Sequence, residues 1–324
     1  MWNPLTMKDT HMTIKTTFHT SISRRIFLGA IVAGAGLSSL PWSVRAALGD
    51  GAAGSAIAFD GDALIVARGT LSRNDGGETW TSLPAPVAGG IGALATHPAS
   101  PGRIAAGLMA GGVALSEDGG RSWEMRGQGL PSAAVTAIAV AAGNPEILYA
   151  AVRGDGLWQS DDAGQSWTFA MDRPWLADAE RDLTALASVD LATGMGGIWI
   201  YAGTETGLTR LPDCLCRWQD VQPGDAMDAL ATGIPPPPEA PLPDGEPINA
   251  LVSAASLPTR LYAALSSGIW ISEDAGVTWS RRTGKHAAAL AVHPVKSDYV
   301  VASAADGLIQ SSDGGMTWTA FVDR

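Results

Sequence analysis

The sequence predicts an all-β fold, a six-bladed β-propeller of four-stranded antiparallel blades, and three observations carry the prediction. One eight-residue pattern, S-x-D-x-G-x-[ST]-W, recurs six times. Its aspartates, Asp75, Asp118, Asp162, Asp213, Asp274 and Asp313, are separated by 43, 44, 51, 61 and 39 residues, the length of one four-stranded blade. Thirty-nine glycines and twenty prolines in 324 residues, with no collagen-like period, supply the turns that many short strands need.

The six copies, or boxes, occupy 73–80 (RNDGGETW), 116–123 (SEDGGRSW), 160–167 (SDDAGQSW), 211–218 (LPDCLCRW), 272–279 (SEDAGVTW) and 311–318 (SSDGGMTW). Each ingredient has a mechanical reason. An Asp carboxylate accepts backbone N–H bonds inside its own turn, and Gly supplies a positive φ. The Trp opens the next strand, where a flat side chain packs between neighbouring blades while its N–H finds a backbone acceptor. The pattern resembles the Asp-box, or BNR, repeat of β-propellers, over nearly all of residues 50–324. In that family the boxes join the third and fourth strands of a blade and are structural, which the resemblance implies for the six aspartates. Its members include sialidases, sortilin-type receptors, xyloglucanases and photosystem II stability/assembly factor-like proteins, so the resemblance implies a fold and leaves the activity open.

The strands follow in order within each repeat. Small apolar runs such as Ser55 to Phe59, Thr136 to Val140, Asn249 to Val252 and Ala288 to Val292 read as innermost A strands, buried on both faces. A Pro or Gly turn leads to B strands such as Ile147 to Val152 and Leu261 to Leu265, then a C strand such as Gly156 to Ser160, the box, and a D strand ending at Val322 in the last repeat. The four tyrosines, Tyr149, Tyr201, Tyr262 and Tyr299, read as equivalent B-strand packing residues. No strand is left over to close the ring by exchange. A seventh blade would have to lie between Trp218 and Asn249, where Pro235 to Pro238 argue for a loop.

The first 46 residues read as an address. Ser23-Arg24-Arg25-Ile26-Phe27-Leu28 opens an uncharged stretch reaching Arg45, and Val44-Arg45-Ala46 fits signal cleavage. Paired arginines before Phe-Leu resemble a twin-arginine signal, which implies export of a folded protein to the periplasm. A retained anchor is the alternative, weakened by Gly29, Gly34, Gly36 and Pro41. The propeller is then expected over 47–324. Net charge is −11; removing the five basic residues and one acid before residue 47 leaves 16 bases against 31 acids, or −15. Such a balance disfavours a nucleic-acid partner.

The two longest connections, Met171 to Asp182 and the acidic, proline-rich insertion 219–247, are both D–A connections, opposite the boxes and flanking blade four. Long loops on one face of a rigid scaffold favour recognition. Arg68, Arg153, Arg173, Trp175 and Glu205 are the candidate contacts for a periplasmic or membrane-associated protein partner, with Trp175 the anchor. Asp155, Ser266 and Asp306 lie in the same set of B–C turns, and a small polar molecule or glycan at the channel mouth is the alternative ligand.

No catalytic residue is assigned. A sialidase-like hydrolase or sugar-binding protein is the first alternative, but no Arg-Ile-Pro segment occurs, and glycoside hydrolysis needs two facing carboxylates. Xyloglucanase-like chains resemble two such propellers; this one has length for one. His97-Pro98 and His293-Pro294 end equivalent A strands and read as turn residues. Cys214-Leu215-Cys216 rewrites the fourth box around the only two cysteines. It admits a structural disulfide, a redox pair, or two thiolates for copper, and an oxidising compartment favours the disulfide. No other cofactor is expected.

Overall fold

The fold builds from short strands held by local turns. A computed structural model describes residues 55–77, 79–86, 90–191, 197–221 and 240–321, where every regular element is a β-strand. These belong to one compact unit, Asp50–Arg324. The expected export signal over residues 1–46, Glu78 and most of the 219–247 insertion, including its four prolines, lie outside the described residues.

Blade one comprises β1 (Ser55–Asp60), β2 (Ala63–Arg68), β3 (Thr70–Asn74) and β4 (Thr81–Leu83). Blade two comprises β5 (Ile91–Thr96), β6 (Ile104–Leu108), β7 (Val113–Ser116) and β8 (Glu124–Met125). Blade three has β9 (Val135–Ala141), β10 (Asn144–Val152), β11 (Gly156–Ser160) and β12 (Thr168–Met171), followed by a two-stranded hairpin of β13 (Trp175–Leu176) and β14 (Ala179–Glu180). Blade four has β15 (Leu183–Asp190), β16 (Ile198–Thr204) and β17 (Leu208–Pro212). Blade five has β18 (Ile248–Ala254), β19 (Leu257–Leu265), β20 (Gly268–Ser272) and β21 (Ser280–Thr283), and blade six β22 (Ala287–Val292), β23 (Val300–Ala304), β24 (Gly307–Ser311) and β25 (Thr319–Ala320). Each blade is an antiparallel meander in sequence order. The expected six-bladed propeller is the fold observed. Blade four differs: among the described residues its fourth strand is reduced to the single bridge Arg210–Gln219.

The inner strands β1, β5, β9, β15, β18 and β22 contact one another in succession, and β22 returns to β1. Their alanines let six blades converge, and the apolar clusters lie between adjacent blades, such as Tyr149, Leu157, Ile200 and Leu211 between blades three and four. Blades two to six begin with a β-bulge at the second inner-strand residue, Gly92, Thr136, Thr184, Asn249 and Ala288. The hydroxyl of Thr136 donates to Leu183 O (2.7 Å) and that of Thr184 to Ile248 O (2.7 Å), stitching successive blades where the inner strands start.

Ring closure needs no exchanged strand. Ser55 Oγ donates to Ser303 Oγ at 2.7 Å. Phe59 packs against His293 and Tyr299 with centroids 5.2 and 5.6 Å away. His293 Nδ1 accepts the N–H groups of Val295 and Lys296, which leaves its proton on Nε2 to donate to Asp62 Oδ1 at 2.8 Å. That hydrogen bond holds the Asp62 carboxyl below its usual range, with Lys296 adding to the effect. Tyr149, Tyr201 and Tyr262 do share one B-strand position, one residue past the partner of the box serine site. Tyr299 does not: it precedes β23 by one residue, because Val300 is the partner of Ser311.

Candidate functional site

The boxes explain the rigidity of the frame. In the second, Asp118 Oδ1 accepts the Ser122 N–H (2.8 Å), the Arg121 N–H (2.9 Å) and the Ser116 hydroxyl (2.8 Å), and Oδ2 accepts the Ser122 hydroxyl (2.6 Å). Asp162, Asp274 and Asp313 make the corresponding bonds with Ser166, Thr278 and Thr317. The hydroxyls of Ser122, Ser166 and Thr317, followed by their backbone N–H groups, hold Asp118, Asp162 and Asp313 down at about 2. The indole N–H groups of Trp123, Trp167 and Trp218 donate to Pro84 O, Arg126 O and Asp172 O of the preceding blade. Boxes two and three therefore tie both their own turn and the preceding blade.

Two aspartates do not form the clasp expected of them. In blade one, Asn74 rather than Arg73 pairs with Leu64, so Asn74 takes the serine's place and accepts the Gly76 N–H at 2.8 Å. Asp75 is exposed and pairs with Arg73. The one-residue shift follows from an Arg at the serine position, whose bulk cannot replace a buried hydroxyl. In blade four, Leu211 stands at the serine position and Leu215 at that of the glycine. The turn closes by Leu215 N–H to Pro212 O and Asp213 N–H to Ile198 O, around a Cys214–Cys216 disulfide. The two thiolates that copper binding would need are joined to each other, and among the described residues no three His, Cys, Asp or Glu groups converge as metal ligands.

The channel is a cavity of about 450 Å³ lined by the inner strands. At one end the lining stops at the bulge residues, among them Gly92, Thr136, Thr184 and Asn249; at the other it reaches the A–B turns through Gly61, His97, Pro98, Asp190 and Pro258. It is mostly Ala, Leu, Ile and Val, and Asp190 is the one carboxylate among its described lining residues. His97 is engaged: its Nε2 faces Ala142 O at 3.0 Å and its Nδ1 accepts the Ala99 N–H. Arg68, Arg153, Asp155, Glu205, Ser266 and Asp306 do not line the channel, contrary to their expected place at its mouth. B–C turns sit one strand spacing outside the inner strands, about 5 Å further from the axis. Arg68 instead donates to Ala305 O across the ring closure (3.0 Å), and Arg153 and Glu205 are exposed on the rim.

The blade three-to-four connection is more built than its expected loop. Both ends are anchored: Asp172 O by the Trp218 indole, and Asp182 Oδ1 by the Gly154 N–H at 3.0 Å. Between them β13 and β14 pair Trp175 with Glu180 around a turn at Ala177 and Asp178, both at positive φ. Arg173 braces the base through ion pairs to Glu180 and to Asp182 (3.2 Å), which raise its pKa. Arg181 donates to Leu176 O. On this braced hairpin Trp175 is 69% exposed, whereas Trp199 is buried beneath Arg210.

The second insertion is also docked where described. Ala240 bridges Thr278 and accepts the Trp279 N–H (2.7 Å), Leu242 is buried, and Glu246 accepts from Ser266 and Ser267.

No protein-family profile matches the sequence, and no curated protein does. Solved structures do. The GH74 xyloglucanase from Xanthomonas campestris aligns at 19% identity over 82% of this chain and 45% of its own, with a TM-score of 0.53. The GH74 enzyme from Niastella koreensis aligns at 14% identity over 83% and 46%, also at 0.53. The Cps50 (Swd1) β-propeller domain from Myceliophteria thermophila aligns at 14% identity over 80% and 96%, at 0.51. Identities this low show the β-propeller fold alone, and this chain spans less than half the length of either GH74 enzyme.

Proposed function

We propose that this chain is an exported, non-catalytic propeller of the Asp-box kind that serves as a protein-interaction or assembly scaffold in the periplasm. One observation carries the reading: an indole 69% exposed stands on a hairpin held at both ends and across its base. Displaying a large apolar ring in water is unfavourable by about 25 cal/mol per Å², and rigid aromatic anchors are where binding energy concentrates in protein interfaces. Arg173 and Glu180, paired with each other, and Arg181, which donates to Leu176 O, supply a polar rim. The partner is therefore a protein with an apolar pocket for Trp175, and Arg153 and Glu205 lie on the same rim.

The channel supports this reading over hydrolysis. General acid–base cleavage of a glycoside needs two carboxylates at a set separation, and the described lining offers Asp190. The test is affinity capture of tagged protein from native periplasm, comparing wild type with Trp175→Ala. A stoichiometric partner that Trp175→Ala loses, with an unchanged melting temperature, is the expected result. Equal capture by both proteins would overturn the assignment of the anchor.

A further inference from the structure

The fourth box carries the chain's disulfide chemistry, and its Trp218 bonds the base of the docking hairpin. Cys214 and Cys216 are both exposed, their Cα atoms 5.4 Å apart across a single residue. Leu215, at φ 53, occupies the place of a box glycine such as Gly164 at φ 87, a conformation that an L side chain disfavours. Its side chain packs with Trp218 against the core between blades three and four. Leu211 supplies no hydroxyl to this turn, so the Ser–Asp clasp of the intact boxes is replaced by the covalent bond. Two residues on, Trp218 donates to Asp172 O, the carbonyl immediately before Arg173.

We propose that the Cys214–Cys216 disulfide is a thiol–disulfide exchange site whose reduction loosens the Trp218 anchor and thereby the Trp175 hairpin. The inference deepens the docking reading and rests on it for its consequence. The chemistry balances with a monothiol reductant such as glutathione. A glutathione thiolate attacks one exposed Sγ; the Cys214–Cys216 bond breaks as a mixed disulfide forms, and the other sulfur leaves as a thiolate. A second glutathione thiolate attacks the glutathione sulfur of that mixed disulfide. Oxidised glutathione forms and the remaining cysteine leaves as a thiolate. The protein pair has then gained two electrons and both cysteines take protons from solvent. Without its cross-link, the turn must hold Leu215 at positive φ by packing and the Leu215 N–H to Pro212 O bond.

The test uses the full chain in reduced and oxidised glutathione, with alkylation to count thiols and hydrogen exchange read peptide by peptide. Reduction should go to completion in the folded protein. Exchange across 172–182 should then rise by about tenfold, the mark of roughly 1.4 kcal/mol of lost local protection, while blades one and six are unchanged. Cys214→Ser/Cys216→Ser should show the fast exchange without reductant and no response to it. A disulfide that resists glutathione in the folded protein overturns the proposal, as does complete reduction with 172–182 exchanging at the oxidised rate. These readouts need no partner: failure of Trp175→Ala to lose capture would strike the docking reading and leave the exchange result standing.

Discussion

Asp118 and Leu215 show what single residues decide in a repeat. Asp118 accepts four bonds from within five residues of itself, so its role was legible in the sequence: the geometry is local and the residue types specify it. The depressed carboxyls of Asp118, Asp162 and Asp313 make a pH prediction. A folded pKa of about 2 against about 3.9 unfolded means that the unfolded chain binds the proton first. The stabilisation is present above pH 4 and is lost as pH falls through 2. The melting temperature should drop over that window, and more gently in Asp118→Asn, which should also melt lower at pH 7. An identical acid profile for the variant would contradict the assignment. Asp75 was not legible as an outlier, since Asp75, Gly77, Thr79 and Trp80 keep the pattern's spacing despite Arg73 at the serine position, and only the register puts Asn74 in the buried site.

At the scale of elements, the C–D bulge depends on one glycine. Gly268 has φ 134, and a Cβ there would meet Thr283 O on β21, beside the register shift between Ile269 and Trp270. Gly268→Ala should therefore cost about 1–3 kcal/mol from backbone strain, with the clash in addition. Gly154→Ala, at positive φ but with open space around its Cβ position, should cost only part of that. Urea midpoints measure both, and equal losses would remove the role of the bulge. The inner strands and boxes were readable from apolar runs and turn residues. The β13–β14 hairpin was not, because two-residue strands joined at Ala177-Asp178 lack both a period and an Asn-Gly turn signal. The bulge ring was hidden likewise: a small or polar residue second in each inner strand looks like an ordinary interruption.

For the whole molecule, closure between blades six and one is the joint that the chain does not connect covalently. His293, 3% exposed, holds two N–H groups and Asp62 there. His293→Ala should lower the unfolding free energy by about 1–3 kcal/mol, from the lost packing of a buried ring and its hydrogen bonds, and an unchanged urea midpoint would show that the Phe59–Tyr299 contact closes the ring without it. Six repeats at blade spacing made the architecture legible, while the absence of the B–C turn residues from the described channel lining was not. Docking at the rigid face beside blade four is the central claim. Its most direct test replaces Trp175 with a photo-crosslinking phenylalanine analogue in the native cells, and does the same at Met316 in the last box. A single protein adduct at position 175 with none at 316 is predicted; an adduct at 316 alone would place recognition on the box face and contradict the account.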